Sequence, residues 1–285
     1  MVNLMLTSVL ALLPLFSDGP KEKGQLFIIG GGDRVSEMQK FVDLAGGPAS
    51  KIVVIPMAGG DYVDDWLFEK KRFEAMGCTN VISLITDRAG ADADSTVAKL
   101  EGAKGVFMTG GDQVRLTKIF LGTKTFAKLK SVYQEGAIIG GTSAGAAVMS
   151  KIMLTGEELV NKDSTTYFHT IQKRNVEAIE GFGLISEKII IDQHFIIRKR
   201  LNRLISVLID HPGHIGIGID ESTGILVKPD YTFEVFGGRT VVIVDATDVH
   251  NIRTTKDGLY AAEGIKIDIL MAGDRYDFRK RKVVK

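Results

Sequence analysis

Residues 137–146 read Ala137-Ile138-Ile139-Gly140-Gly141-Thr142-Ser143-Ala144-Gly145-Ala146, an apolar run that breaks into Gly-x-Ser-x-Gly and passes into Ala144 to Met149, which favour a helix. A strand that turns sharply into a helix forces the corner residue into strained backbone geometry and crowds its neighbours, so small residues are needed on both sides. Gly141, Thr142, Ala144 and Gly145 meet that need around Ser143. The pattern makes Ser143 the candidate nucleophile, with the Ala144 N–H at the helix start as the first candidate donor to an oxyanion. A second donor is expected from a neighbouring strand end, where Gly111 of the pair Gly110-Gly111 lets the backbone approach closely.

The same strand-then-glycine pattern recurs upstream. Leu26 to Ile29 runs into Gly30-Gly31-Gly32-Asp33, Ile52 to Pro56 into Ala58-Gly59-Gly60, and Val106 to Met108 into Gly110-Gly111. Between these lie segments with helical spacing of apolar residues, Ser36 to Leu44, Asp64 to Met76 and Lys124 to Gln134. Strands alternating with helices imply an α/β fold with a parallel sheet covered on both faces, and ligands bind beyond the carboxyl ends of such strands, where the glycine clusters fall. Gly30 to Gly32 and Gly59-Gly60 read equally as tight turns and as pocket lining. Further on, Lys188 to Asp192, Ile215 to Ile219, Ile225 to Lys228, Phe233 to Phe236 and Val241 to Val244 read as strands, the last several antiparallel.

A serine hydroxyl needs a base, and His194 is the histidine that follows a strand, Lys188 to Asp192, onto the rim that carries Ser143. The carboxylate that orients it is either Glu221, after the strand Ile215 to Ile219, or Asp192, two residues before the histidine. None of the glycine clusters has the Gly-x-Gly-x-x-Gly spacing of dinucleotide sites, and no phosphate loop of the Gly-Lys-Ser/Thr kind is present. His211-Pro212-Gly213-His214 reads as a loop before it reads as a metal site, and the single cysteine, Cys78, has no partner for an internal disulfide.

With 36 Lys and Arg against 35 Asp and Glu, no overall field recruits nucleic acid or an anionic membrane. The 285-residue chain is 45% apolar, enough to bury one large core, so residues 25–285 are expected to form a single domain. Residues 1–24 stand apart. Leu4 to Phe16 is too short for a membrane span, which needs roughly 20 apolar residues. It reads as the apolar core of a secretory signal, which would place the protein outside the cytoplasm or in a periplasm, with Ser17 to Gly24 as a linker. No basic residue precedes the run and no clear cleavage site follows it, and a docked N-terminal segment would leave the protein cytoplasmic.

Taken together, Gly110-Gly111-Asp112-Gln113, the Ser143 elbow, Asp192-Gln193-His194-Phe195 and Gly218-Ile219-Asp220-Glu221 resemble the cyanophycinases, in the serine peptidase family that also holds the aspartyl dipeptidases. The resemblance covers Gln25 to Val244 and leaves Lys151 to Glu180 unassigned. It implies a three-layer α/β sandwich with a mostly parallel central sheet, akin to the class I glutamine amidotransferases, commonly assembled as a homodimer. It implies Ser143, His194 and Glu221 as the triad, no metal or organic cofactor, and hydrolysis of multi-L-arginyl-poly-L-aspartate to β-Asp-Arg dipeptides. An aspartyl dipeptidase, or a binding protein that keeps the fold without turnover, are the other readings. Arg198, Arg200 and Arg203 match the family's arginines and, placed on a helix, would share faces and clamp substrate carboxylates. Asp112, Gln113, Asp192 and Gln193 complete the expected substrate contacts.

Overall fold

The computed structural model describes residues 24–160 and 168–284, so the Leu4 to Phe16 run lies outside the described residues. The first half alternates as the glycine-punctuated sequence requires: β1 (Gln25–Ile29), α1 (Val35–Leu44), β2 (Ile52–Ile55), α2 (Tyr62–Ala75), β3 (Val81–Ser83), α3 (Asp94–Ala98), β4 (Gly105–Met108), α4 (Gln113–Phe120), α5 (Lys124–Gln134), β5 (Ile138–Thr142) and α6 (Ala144–Ala147). The second half is mostly strand: β6 (Ile152–Glu158), β7 (Val176–Glu180), β8 (Ile189–Gln193), α7 (Leu201–Asp210), β9 (Ile215–Ile219), β10 (Thr223–Val227), β11 (Thr232–Gly237), β12 (Val241–Asp245), β13 (His250–Thr254), β14 (Tyr260–Glu263), β15 (Lys266–Leu270), β16 (Arg275–Asp277) and β17 (Lys282–Val284).

Among the described residues nine strands form the central sheet, in the order β17-β16-β11-β10-β1-β5-β4-β2-β3. The half that carries the site, β1-β5-β4-β2-β3, is wholly parallel. From β10 outward the strands are antiparallel; short turns dictate this for β10-β11 and β16-β17, which are successive in sequence, while β1-β10 and β11-β16 pair across long stretches of chain. The strands at 189–193, 215–219 and 241–245 do not extend that sheet. They form, with β15, a second sheet in the order β15-β12-β9-β8, in which β8 and β9 are parallel. The segment Lys151 to Glu180, left unassigned by the sequence, contributes the antiparallel pair β6 and β7.

Burial explains the layering. On one face of the central sheet, α1 and α2 enclose Phe27, Phe41, Phe73 and Phe107, with the Phe41 and Phe107 rings edge to face at 5.4 Å. The other face packs against α4 to α6 and then against the second sheet, through a core that includes Ile28, Val106, Ile139, Ile191 and Ile217. Residues alternate along β8: Ile189 and Ile191 join that core, whereas Ile190 points to α7 and packs with Leu204, Val207 and Leu208. The result is an α/β fold with a large central sheet, mostly parallel around the site, and helices on both faces.

One ionic contact anchors α7 to β8 and corrects a sequence expectation. Arg203, 3% exposed, donates from Nε to Asp192 Oδ2 at 2.8 Å and from Nη2 to Asp192 Oδ1, and its guanidinium lies 5.7 Å from the Phe168 ring centroid. Asp192 is itself buried, so the two charges satisfy each other and neither is offered to a ligand. Removing one partner strands the other in the interior, a loss of about 3–5 kcal/mol. Arg203→Ala and Asp192→Asn are each expected to lower unfolding free energy by that order in urea denaturation. A loss under about 1 kcal/mol in both would show that the pair does not hold α7 in place.

Candidate active site

The site forms where β1, β5, β8 and β9 end side by side. Three successive carbonyls at the end of β1 gather the chain there: Ile29 O accepts from Ser143 N at 3.0 Å, Gly30 O from His194 N at 2.9 Å and Gly31 O from Ser222 N at 2.8 Å. Ser143 and His194 take positive φ, 53° and 47°, the strained corner that the small neighbours permit. Glycine is required along this strip. A Cβ on Gly31 would strike the His194 ring, and one on Gly32 would sit 2.8 Å from Glu221 Cβ. For Gly31 and Gly32 the pocket-lining reading therefore holds together with the turn reading, since both line the pocket and have φ of 117° and 72°, whereas Gly30 does neither and is held small by the Asp220 carbonyl.

His194 Nε2 lies 2.9 Å from Ser143 Oγ, and Nδ1 lies 2.6 Å from Glu221 Oε1. A carboxylate only accepts, so Nδ1–H donates to Glu221 and leaves the Nε2 lone pair facing the serine hydroxyl. The geometry selects between the two candidate carboxylates, because Asp192 is turned away into its pair with Arg203. Burial lowers the His194 pKa below its ordinary 6.5; the hydrogen bond to Glu221 opposes that, and the Arg198 and Arg200 charges reinforce it. An imidazole held neutral in this way can take a proton from Ser143 Oγ.

Gly110 and Gly111 face the serine. A Cβ on Gly110 would lie 3.3 Å from Ser143 Cβ, and Gly111 holds φ at 133° with its Cα against the Ala58 carbonyl. The Gly111 and Ala144 N–H groups have no acceptor among the described residues. The helix after Ser143 is a single turn, Ala144–Ala147, shorter than the expected Ala144 to Met149, so local N–H groups rather than a helix macrodipole face the serine.

Several expected substrate contacts have other work. Asp112 caps α4, accepting from Val114 N at 2.8 Å. Gln113 is buried and donates to the Leu154 and Thr155 carbonyls at 2.6 and 2.8 Å, fastening β6. Gln193 is buried, with Oε1 lacking a donor. The helix expected to carry the arginines begins only at Leu201; Phe195 to Arg200 is a turn pinned by Asp220 Oδ1, which accepts from Ile197 N at 3.1 Å. Arg200 reaches back to the Gln193 carbonyl at 2.6 Å, and burial followed by the Arg203 charge brings its pKa down to about 10. Arg198 alone of the three is exposed, on the turn that follows His194. His211 and His214 close a loop through His214 Nδ1 and the His211 carbonyl, and among the described residues no cluster of three or more His, Cys, Asp or Glu is placed to hold a metal.

The pocket over Ser143 and His194 has a volume of about 430 Å³, and its far wall is built from residues the sequence did not mark: Arg34, Asp65, Phe68 and Glu69. The motifs end at Gly59-Gly60, and only the fold carries α2 across the opening. Two measurements check the geometry. An NMR titration of the His194 ring should give a midpoint below 6.5 that rises in Arg198→Ala, because a repelling cation is gone; a midpoint above 6.5 would show that the Glu221 bond outweighs burial. Gly31→Ala should lower kcat by roughly a hundredfold, since displacing a catalytic ring by about an ångström has that effect; an unaffected kcat would show that the strip tolerates a side chain.

Comparison with known proteins places the chain. It is 34% identical over 273 residues to the cyanophycinase of Synechococcus elongatus, spanning 92% of this chain and 81% of that protein. The cyanophycinase of Geminocystis herdmanii is likewise 34% identical over 274 residues, spanning 90% and 94%. Among solved structures, a peptidase from an acI-B1 Actinobacterium superposes with a TM-score of 0.66 at 21% identity, covering 91% of this chain and 98% of that one, and so shares the fold. A putative peptidase E protein from Listeria monocytogenes gives 0.50 at 18% identity over 76% and 98%. Residues 26–235 match the model of peptidase family S51; the chain belongs to that family and is a serine-type peptidase.

Proposed function

We propose that this peptidase hydrolyses multi-L-arginyl-poly-L-aspartate, releasing β-Asp-Arg dipeptides through an acyl-enzyme on Ser143. The observation that carries the chemistry is the chain of contacts from Ser143 Oγ to His194 Nε2 at 2.9 Å and from His194 Nδ1 to Glu221 Oε1 at 2.6 Å, open to a pocket. The substrate is supported by the cyanophycinases that share 34% of their residues with this chain over nine-tenths of its length.

In this reading Ser143 Oγ attacks the carbonyl carbon while its proton passes to His194 Nε2. The oxyanion is bound by the Gly111 and Ala144 N–H groups. The imidazolium, held by Glu221, returns the proton to the leaving nitrogen as the C–N bond breaks. Water then attacks the ester, its proton passes to His194, and the carboxylate product leaves as Ser143 Oγ recovers a hydrogen. Arg198, exposed beside His194, is the arginine left free to meet a substrate carboxylate.

The test is incubation of the purified protein with the polymer and with α- and β-aspartyl dipeptides, with products identified by mass spectrometry. Dipeptide release from the polymer is expected, falling by at least about a thousandfold in Ser143→Ala. Cleavage of dipeptides with no action on the polymer would make it an aspartyl dipeptidase. More than a tenth of the activity surviving in Ser143→Ala would remove the serine mechanism.

A further inference from the structure

The wall of the pocket opposite Ser143 carries charge that none of these steps uses. Arg34 and Glu69 meet there through Arg34 Nη2 and Glu69 Oε1, with side chains 12% and 3% exposed, so this pair neutralises itself. Asp65, one turn before Glu69 on α2, is different: its carboxylate has no hydrogen bond or ion pair with any described residue. Its Oδ2 is buried without a donor above Gly59, at a spot a Cβ on Gly59 would occupy. Glu69 Oε2, which lines the same pocket, is also buried without a donor.

Buried carboxylate oxygens ordinarily find partners, and although Arg34 lines the same pocket with its Nε buried and without an acceptor, it is paired with Glu69, and no described cation is paired with Asp65. The Arg115 guanidinium is held by the Gly59 carbonyl, and Arg72 pairs with Asp33 at 3.4 Å. Burial pushes the Asp65 pKa up, and the negative charges of Asp61 and Asp64 at the start of α2 add to that. Next to Asp65 the Phe68 ring lines the pocket while 57% exposed, an apolar face with a positive neighbour on one side only, Arg72 at 5.2 Å. An uncompensated carboxylate beside an open aromatic face is the surrounding that a flat cation satisfies, through N–H donation at its edge and stacking on its plane.

We propose that Asp65 and Phe68 form a subsite for a guanidinium side chain on the substrate, next to the bond that Ser143 attacks. The inference rests on reading this pocket as the peptidase's substrate site, and it names residues that select the basic side chain. Asp65 is a binding residue in it, set beside the wall by Gly59 and flanked by the self-paired Arg34 and Glu69.

Two measurements on the full chain test it. In the first, kcat/KM for dipeptide release is compared for the oligomer (β-Asp-Arg)2 and its leucine counterpart (β-Asp-Leu)2: the wild type should prefer arginine, and Asp65→Asn should reduce the ratio at least tenfold, mainly through KM, with Asp65→Glu recovering part of it. An unaltered ratio in Asp65→Asn overturns the subsite and leaves the hydrolysis standing. The second needs no hydrolysis: calorimetric binding of agmatine, a guanidinium without a carboxylate, should weaken at least tenfold in Asp65→Asn and also in Phe68→Ala. Agmatine that fails to bind the wild type, or binds both variants as well as it binds the wild type, overturns the subsite. If neither oligomer is cleaved but agmatine binding still depends on Asp65, the substrate reading fails and the subsite survives.

Discussion

Three consecutive backbone acceptors, the carbonyls of Ile29, Gly30 and Gly31, fix where Ser143, His194 and Glu221 stand relative to one another. The three residues come from strands 51 and 27 positions apart in sequence and from two different sheets. A side-chain contact could not hold them as well, because each added side chain brings its own rotamers. Backbone hydrogen bonds to one short strip leave only the side-chain torsions of Ser143, His194 and Glu221 to be set. The absence of Cβ atoms at Gly31 and Gly32 then lets the imidazole and the Glu221 side chain lie against the strip itself.

The electrostatics follow from the same crowding. His194 sits where burial disfavours its charged form, and the nearest cations, Arg198 and Arg200, add to that, while Glu221 pulls the other way. Arg203 would strengthen the repulsion if its charge were free, but Asp192 accepts both of its donors in the interior. The pair therefore does two things at once: it ties α7 to the second sheet, and it keeps one positive charge from acting on the base.

Much of this was legible in the sequence. The strand-and-glycine rhythm from Leu26 to Gly145 gave the parallel half of the sheet, and the Lys124 to Gln134 helix falls where its apolar spacing put it. Ser143, His194 and Glu221 come together as the motif order implied. What escaped was whatever depends on direction rather than spacing. The segments at 189–193, 215–219 and 241–245 read as strands, but a β-branched run does not say which neighbour it will pair with, and the second sheet they form was not legible. The arginines after His194 were placed on one helix, but His194 takes positive φ and Phe195 to Arg200 turn before α7 starts, so offsets counted from the histidine do not translate into shared faces. Arg203 read as a ligand clamp because its sequence neighbours gave no hint that Asp192, eleven residues earlier, would lie beneath it. Asp65 and Phe68 carried no motif, and only the fold brings them across from the serine.

That last point bears on how such a site can select its substrate. Six of the fourteen residues lining the pocket are glycines, and Gly31, Gly32 and Gly111 among them hold positive φ where a Cβ would also clash. A wall of bare backbone can place N–H donors near a carbonyl, but it has little shape with which to refuse a side chain of the wrong kind. Discrimination must then come from the few side chains that do reach the opening, and these are concentrated on α2 and at Arg34, where α1 begins, opposite the serine. Bringing the wrong group against an unpaired carboxylate leaves that carboxylate desolvated without a partner, a penalty of about 1–3 kcal/mol or more. The pocket is thus divided by element: the ends of β1, β4, β5 and β8 bring bare backbone, Ser143 and His194 to it, and α2 brings the side chains of Asp65, Phe68 and Glu69.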